Sequence, residues 1–185
     1  MFIQTESTPN PATLKFLPGR PVLEGSPRDF LTSESAGEAP LARALFAIPG
    51  VAGVFLGSDF IAVTKDATEW QHIKPSILGA IMEHYVSGAP MLTASAASES
   101  EQDEFFKVED QEIVETIKDL IETRVRPAVA NDGGDIIFKG FRDGTVYLSM
   151  KGACAGCPSS TATLKNGVQN LLRHFIPEVQ AVEQI

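Results

Sequence analysis

The sequence is short of cysteine, of basic residues and of long apolar runs, and each shortage excludes a class of protein. Two cysteines in 185 residues do not make a framework of disulfide bonds, so a reducing compartment is the simplest interpretation. No apolar run approaches the roughly 20 residues that a membrane-spanning helix needs. Lysine and arginine number 15 against 24 aspartates and glutamates, and so acidic a chain lacks the basic patch that nucleic acids and anionic membranes require. We therefore expect no nucleic-acid partner and no membrane partner.

The first residues of the sequence do not have the composition of a targeting signal. Residues Met1–Glu6 contain no basic n-region, and they do not have the arginine- and serine-rich composition of a transit peptide. We therefore expect neither a secretory signal nor a transit peptide.

What the chain does contain is enough apolar material for two small domains. Hydrophobic residues make up 43% of the chain, a composition typical of globular proteins. Residues 93–104 consist only of Thr, Ala, Ser, Glu, Gln and Asp, and the acidic residues are concentrated at their end. This composition predicts a flexible, solvated linker over 91–104. A linker of that length has an end-to-end distance of about 20 Å. We therefore predict an N-terminal domain at 1–90 and a C-terminal domain at 105–185 that move largely independently.

The N-terminal domain is predicted to be α+β. Residues 18–39 are rich in Gly, Pro and Ser and predict a loop with at most one short strand. Pro75 is expected to mark the start of the last helix or to bend the turns before it. The predicted strands are 2–5, 13–17, 51–56 and 60–64, and the predicted helices are 40–47 and 69–86.

The C-terminal domain is predicted to be α+β as well, in the order helix, strand, strand, helix, strand. An amphipathic helix is expected over 109–126 and should end at Pro127. The remaining elements are a turn at 131–135, hairpin strands at 136–141 and 145–150, a helix at 160–175 and a last strand at 179–185.

The two cysteines, Cys154 and Cys157, lie together in the loop between the second strand and the second helix of this domain. Glycine and alanine surround them, which predicts an open loop with room for a bulky group near the backbone. The free N–H groups and the positive dipole end of the following helix favour thiolates and anionic inorganic clusters. The loop is therefore the candidate site.

A Cys-x-x-Cys pair alone admits several interpretations. A pair of small buried residues would have no chemical role. A structural zinc site needs four ligands, and the three histidines, His72, His84 and His174, make no local signature with the pair. A thiol–disulfide oxidoreductase also places such a pair at a helix start, and it is the serious alternative. Against it, Ala153 stands where thioredoxin-like sites have an aromatic residue, and the preceding elements lack a β-α-β unit.

An iron–sulfur cluster is the remaining interpretation, and it depends on a ligand count. A [4Fe–4S] or [2Fe–2S] cluster is held by four thiolates, and one chain supplies two, Cys154 and Cys157. A two-fold homodimer supplies four from the same loop. A cluster held in this way loses half its ligands when the subunits separate, which favours transfer to other proteins over permanent electron transfer.

The motifs around the pair resemble those of the Nfu family of NifU-like proteins. The two resemblances, one in each domain, together cover nearly the whole chain. The matching residues are Asp132-Gly133-Gly134-Asp135 and Gly152-x-Cys154-x-x-Cys157-Pro158-Ser159-Ser160 in the C-terminal domain, and Thr8-Pro9-Asn10-Pro11-Ala12-Thr13-Leu14-Lys15-Phe16 and Pro40-Leu41-Ala42 in the N-terminal domain.

This resemblance implies a function, a cofactor and a set of partners. It implies a non-enzymatic scaffold or carrier in which Cys154 and Cys157 of two subunits hold a [4Fe–4S] cluster, with [2Fe–2S] as the other candidate. The cluster would come from an upstream donor and pass to apo-proteins. The absence of a transit peptide fits a bacterial cytoplasmic member, or a processed mitochondrial one in the matrix. The N-terminal domain shows no catalytic residues, so we expect it to recognise partners or to control access to the cluster.

Asp132 and Asp135 flank two glycines and are candidate cation ligands. A tight turn explains this motif better, because glycines accept positive φ values and the two acids can accept backbone hydrogen bonds. We therefore expect Gly133 and Gly134 both to have positive φ values.

Overall fold

The computed structural model describes residues 1–93, 104–155 and 158–185, apart from the side chains of 158–160. Most of the predicted linker, 91–104, lies outside the described residues. Its flexibility and the predicted domain limits therefore stay predictions.

The chain forms two compact units, Met1–Glu99 and Ser100–Ile185. Each unit contains helices and a sheet, which confirms the predicted fold class of two α+β domains. Among the residues that the structure describes, no helix is both long and apolar enough to cross a membrane.

The N-terminal unit has a five-stranded antiparallel sheet packed on two helices. A short 3₁₀ helix, Ser35–Glu38, precedes the first of them. The strands lie in the order β1-β2-β5-β4-β3. They are β1 (Gln4–Ser7), β2 (Thr13–Leu17), β3 (Arg28–Phe30), β4 (Val51–Leu56) and β5 (Ile61–Lys65), and the helices are α1 (Pro40–Phe46) and α2 (Trp70–Ser87).

The core of this unit is built from one face of the sheet and one stripe of each helix. Phe16 of β2, Leu45 of α1 and Ile77 of α2 are completely buried in it. Burial of each such side chain contributes about 1.5–3 kcal/mol to the free energy of unfolding. The alternation of apolar residues in the strands and their four-residue spacing in α2 therefore agree with the observed packing.

The last helix of this unit, α2, begins five residues before Pro75. Pro75 therefore does not mark its start, contrary to the first of the two expectations. Proline removes one backbone hydrogen bond from a helix interior. Ile73, buried in the core, and the bond from the His72 N–H to the Glu69 carbonyl at 3.0 Å hold the preceding turn in place.

The C-terminal unit contains a three-stranded sheet in the order β6-β7-β8. The element order of helix, strand, strand, helix, strand is confirmed. A short 3₁₀ helix at Val108–Asp110 leads into the first helix. The elements are α3 (Gln111–Leu120), a π-helical turn (Ile121–Val125), α4 (Arg126–Asn131), β6 (Gly134–Arg142), β7 (Thr145–Gly152), α5 (Pro158–Phe175) and β8 (Ala181–Gln184).

The helix of this unit does not end at Pro127, so that prediction is wrong. It continues through the π-helical turn into α4, and the Arg126 N–H donates to the Ile121 carbonyl five residues earlier. In a regular α-helix the proline ring clashes with the carbonyl four residues before it. The wider turn directly before Pro127 changes that spacing, and the buried Val125 and Val129 hold the helix against the core on both sides.

The sheet of this unit combines a hairpin with a parallel crossover. Strands β6 and β7 are antiparallel and meet at a tight turn, where Asp143 and Gly144 have φ values of 49° and 80°. Strand β8 pairs with β7 in parallel, and α5 makes the crossover between them. Ile117, Leu148 and Leu172, from a helix, the central strand and the crossover helix, are completely buried in one core.

Candidate functional site

The loop that contains the cysteines leaves the end of β7 and leads to α5. Gly152 ends β7 with a φ of 66°, a left-handed conformation that suits glycine. The Ala153 N–H donates to the Gly133 carbonyl at 3.1 Å, and the Cys154 carbonyl accepts from Thr161 Oγ1 at 3.0 Å. The Cys154 backbone is thus fastened to the turn before β6 on one side and to the first turns of α5 on the other.

Cys157 lies outside the described residues. Its predicted pairing with Cys154 at the site therefore stays a prediction, and so does the assignment of both as cluster ligands.

The described cysteine, Cys154, is buried, and its exposed fraction is 6%. The expectation of an open loop is wrong at this position. The sulfur lies against the backbone of Gly134, where an added Cβ would come within 2.8 Å of Sγ and 2.7 Å of the Lys151 carbonyl oxygen. Only glycine lets the loop approach β6 this closely.

The two glycines of the Asp-Gly-Gly-Asp motif have different roles. Gly133 has a φ of 80° and makes the turn between α4 and β6, as predicted. Gly134 is already part of β6 and is not among the glycines with positive φ, so the prediction is wrong for it. Its small size matters because of the contact with Cys154.

Burial also sets the acidity of the Cys154 thiol. It raises the pKa of Cys154 from its usual 9.0 to about 11, and the carboxylates of Asp132 and Asp135 act in the same direction. The effect expected from the helix start alone, a stabilised thiolate, is therefore outweighed. A thiol–disulfide oxidoreductase attacks with a thiolate of low pKa, so this environment disfavours that alternative. A thiol that binds a metal gives up its proton to the binding reaction itself.

Asp135 does not accept backbone hydrogen bonds in a turn, contrary to expectation. It lies on β6 with a side-chain exposure of 5% and pairs with Arg126. Arg126 Nε donates to Oδ1 at 2.8 Å and Nη2 donates to Oδ2 at 3.0 Å. These bonds raise the pKa of Arg126 above its usual value. In the described part of the chain no three His, Cys, Asp or Glu residues converge as metal ligands, so the cation-site interpretation of Asp132 and Asp135 gains no support.

Among the described residues of its own unit, Cys154 has no histidine that would complete a zinc site. His174 is near the C-terminal end of α5, about 24 Å along the helix from its N-terminal end at a rise of 1.5 Å per residue. His72 and His84 belong to α2 of the other unit, where burial lowers the pKa of His84.

The N-terminal motif around Asn10 forms a turn. Thr8 Oγ1 donates to the Asn10 and Thr13 carbonyls at 2.9 and 3.0 Å, and Asn10 Oδ1 accepts from the Ala12 N–H at 3.0 Å. Trp70 Nε1 donates to the Pro11 carbonyl at 3.2 Å. These polar groups serve the fold of their own unit.

Two residues that sequence reasoning missed are part of this site. Arg126 is the last residue of the helix predicted over 109–126, and nothing in the sequence singled it out. Gly134 was expected to serve the turn. A glycine at the start of a strand can indicate a close backbone approach, which is the one signal that pointed to Gly134.

Two family profiles match this chain. The one described as "Scaffold protein Nfu/NifU N terminal" matches residues 3–88, and the one described as "NifU-like domain" matches residues 117–183. Together the matches cover most of the chain.

Similar proteins are known from several organisms. The human protein named NFU1 iron-sulfur cluster scaffold homolog, mitochondrial, is 52% identical over 187 aligned positions, which cover 100% of this chain and 72% of the human one. NifU-like protein 5, mitochondrial, of Arabidopsis thaliana is 51% identical over 187 positions, covering 100% of this chain and 68% of its own length. A solution structure of a NifU-like protein from Saccharomyces cerevisiae is 26% identical, with a TM-score of 0.46, and the match covers 51% of this chain and 86% of that one.

The family assignment rests on the sequence matches. Both profiles are matched in the expected order, and about half of all positions are shared with relatives along the full chain. This chain therefore belongs to the Nfu family of NifU-like proteins.

Proposed function

We propose that this protein is an iron–sulfur cluster scaffold or carrier that holds a [4Fe–4S] cluster between two subunits and transfers it to apo-proteins. The observation that carries the proposal is the Cys154 loop, held between β6 and α5 in a chain that has both Nfu domains. The two relatives described above are called an iron–sulfur cluster scaffold and a NifU-like protein, which supports the same class of function.

The number of thiols per chain supports a shared cluster. Cys154 and Cys157 are the only two cysteines, and a cluster takes four thiolate ligands. The described residues bring no further His, Asp or Glu group together as substitute ligands. A two-fold dimer supplies the missing pair from an identical loop. A [2Fe–2S] cluster satisfies the same count and is the second candidate for the cargo.

The residues of the loop have distinct tasks in this function. Cys154 and Cys157 bind iron and lose their protons as they do so. Because the Cys154 sulfur is buried against Gly134, its side chain must become exposed before a partner subunit can share the ligand set, while the backbone next to it stays bonded to Gly133. That requirement couples ligand exposure to dimer formation. Burial of the sulfur also keeps the thiol protonated and protected while no cluster is bound.

The partners and the compartment follow from the same proposal. The cluster comes from an upstream donor and goes to apo iron–sulfur proteins, and the protein itself is not an enzyme. The N-terminal unit recognises partners or controls access to the cluster. Both named relatives are called mitochondrial, which favours the mitochondrial matrix over the bacterial cytoplasm.

Anaerobic reconstitution with iron and sulfide tests the proposal. We expect a brown dimer with broad absorbance near roughly 400 nm, as thiolate-bound iron gives, with four iron and four sulfide per dimer if the cargo is [4Fe–4S]. Cys154→Ser and Cys157→Ser should each abolish the colour and the cluster-dependent dimer. A colourless product that reduces a test disulfide would support the oxidoreductase instead. A monomer that keeps the full complement of iron would contradict the sharing of ligands.

A further inference from the structure

The function proposed above assigns no role yet to the ion pair between Arg126 and Asp135, which lies next to the Cys154 loop. Asp135 is almost completely enclosed, with a side-chain exposure of 5%, and Arg126 has 29%. Two N–H groups of the guanidinium bind the two oxygens of Asp135, and its Nη1 donates to Glu122 Oε2 at 2.6 Å. A planar fork of this kind is available to arginine and not to lysine.

The ion pair is located where it can act on the site. Asp135 directly follows Gly134, against which the Cys154 sulfur lies. Gly134 is paired with Gly152, the residue that starts the loop. Arg126 is the first residue of α4, directly after the π-helical turn. The pair thus fastens the helix to the part of β6 that supports Cys154.

Stability alone does not account for this arrangement. Removing two charges from water costs about as much as their mutual attraction contributes, and buried pairs replaced by apolar residues are often neutral or stabilising by about 1–4 kcal/mol. A role at the neighbouring thiol accounts for it better, because residues that orient the ligands of a metal commonly change metal affinity when they are replaced.

We propose that Arg126 and Asp135 are positioning residues for Cys154, an inference that rests on the proposed function. The forked pair holds the start of β6 beneath the Cys154 sulfur. The positive charge of Arg126 also balances the carboxylate of Asp135, which would otherwise oppose an anionic, thiolate-bound cluster. Arg126 therefore contributes both geometry and charge to a site that it does not itself ligate.

The first test measures how firmly the cluster is held. Arg126→Met, Arg126→Lys and Asp135→Asn are compared with Arg124→Met, the matched control, since Arg124 stacks on Phe175 with its guanidinium 5.2 Å from the ring centroid. Each protein is reconstituted and its iron is captured by a chelator. We expect Arg126→Met to release iron about tenfold faster or more. Arg126→Lys should recover part of the loss, because it keeps the charge and lacks the fork, and Arg124→Met should match the unaltered protein.

The second test separates charge from structure through the reduction potential of the bound cluster. Removing the positive charge in Arg126→Met should lower the potential, and removing the negative charge in Asp135→Asn should raise it. The double variant Arg126→Met/Asp135→Asn should return close to the unaltered value. Shifts of the same sign in both single variants would contradict the electrostatic part of the proposal.

The third test needs no cluster and judges the geometric part. In a Cys157→Ser background, Cys154 is the only thiol, and its alkylation rate reports how well it is buried. We expect several-fold faster alkylation in the Arg126 and Asp135 variants than in Arg124→Met. If Arg126→Met does not fold, because it leaves a buried carboxylate unpaired, the double variant has no such charge and carries the same expectation.

The outcomes distinguish this inference from the proposed function. Alkylation and iron release at the unaltered rates in the double variant would overturn the positioning role and leave the cluster function intact. Failure of the unaltered protein to bind a cluster would overturn the proposed function, while the alkylation result would still decide whether the ion pair holds Cys154.

Discussion

The two units use the polar residues of their motifs in opposite ways. In the N-terminal unit, Thr8 and Asn10 form hydrogen bonds that close their own turn. In the C-terminal unit, Gly134 and Asp135 lie around a buried thiol and bind residues from other elements. One motif completes a turn, and the other encloses a thiol. The comparison fits the proposed function, in which the C-terminal unit binds the cluster, and recognition or control by the N-terminal unit stays a prediction.

The largest expected effect concerns the protection of Cys154. With its pKa raised from 9.0 to about 11, the thiolate fraction at neutral pH is lower by roughly a hundredfold than for a free thiol, since each pKa unit is a tenfold change. We expect alkylation of Cys154 in Cys157→Ser protein without a cluster to reach half its maximal rate near pH 11, and near pH 9 once the protein is unfolded in urea.

The same shift predicts how stability depends on pH. The folded protein keeps the proton of Cys154 at pH values where the unfolded chain has lost it, so this contribution is complete below pH 9 and is lost as the pH rises through about 11. Unfolding by urea at pH 8 and pH 10.5 measures it. The raised pKa of Cys154 would be contradicted if the free energy of unfolding changed by the same amount between the two pH values in Cys154→Ser and in the unaltered protein.

The next effect is steric and is confined to the C-terminal unit. Gly134→Ala places a methyl group 2.8 Å from the Cys154 sulfur and 2.7 Å from a carbonyl oxygen. Overpacking of this kind costs about 1–3 kcal/mol, and it should lower the iron content after reconstitution. Amide hydrogen exchange in β6 and β7 measures the loss of stability. Unchanged exchange together with full iron binding would show that the contact is unimportant.

A smaller effect should appear in the N-terminal unit without any change at the site. Asn10→Ala removes the acceptor of the Ala12 N–H and should cost about 1 kcal/mol. Trp70, the only tryptophan of the chain, lies in this unit, so its fluorescence follows the unfolding. Iron content should stay at the unaltered value. A loss of cluster binding in this variant would contradict the prediction that only the C-terminal unit is needed to bind the cluster.

The smallest effect is expected at Gly167 in α5, which also serves as the control for Gly134. An added Cβ meets nothing within 4 Å there, and alanine is favoured over glycine inside a helix. Gly167→Ala should therefore stabilise the C-terminal unit by about 0.5–1 kcal/mol, measured by the same hydrogen exchange. Destabilisation of similar size to that of Gly134→Ala would mean that steric space does not explain the difference between the two glycines.

Most of the secondary structure could be predicted from local patterns. Strand β4 was placed at its observed limits, and the hairpin turn at Asp143 and Gly144 was found because left-handed residues are readable from the sequence. These features depend on neighbours in the chain, so propensity and spacing are sufficient to identify them.

The features that escaped prediction depend on contacts between distant positions. Gly134 and Cys154 are brought together by the pairing of β6 with β7, and no local pattern states that register. The bond between Arg126 and Asp135 requires knowledge of how α4 turns into β6. The burial of Cys154 and the rise in its pKa follow from both, which is why an open loop with a stabilised thiolate was expected instead.

The π-helical turn has a consequence for how this site tolerates changes in chain length. Such a turn contains one residue more than an α-helical turn would, and each residue of an α-helix advances the direction of the side chains by about 100°, at 3.6 residues per turn. Deleting a single residue between Ile121 and Val125 would therefore leave an α-helical turn of nearly the same angular span, so Arg126 would still face Asp135, but the Pro127 ring would then clash with the carbonyl four residues before it. The extra residue thus makes room for a proline inside a continuous helix, and it does so without turning Arg126 away from its partner.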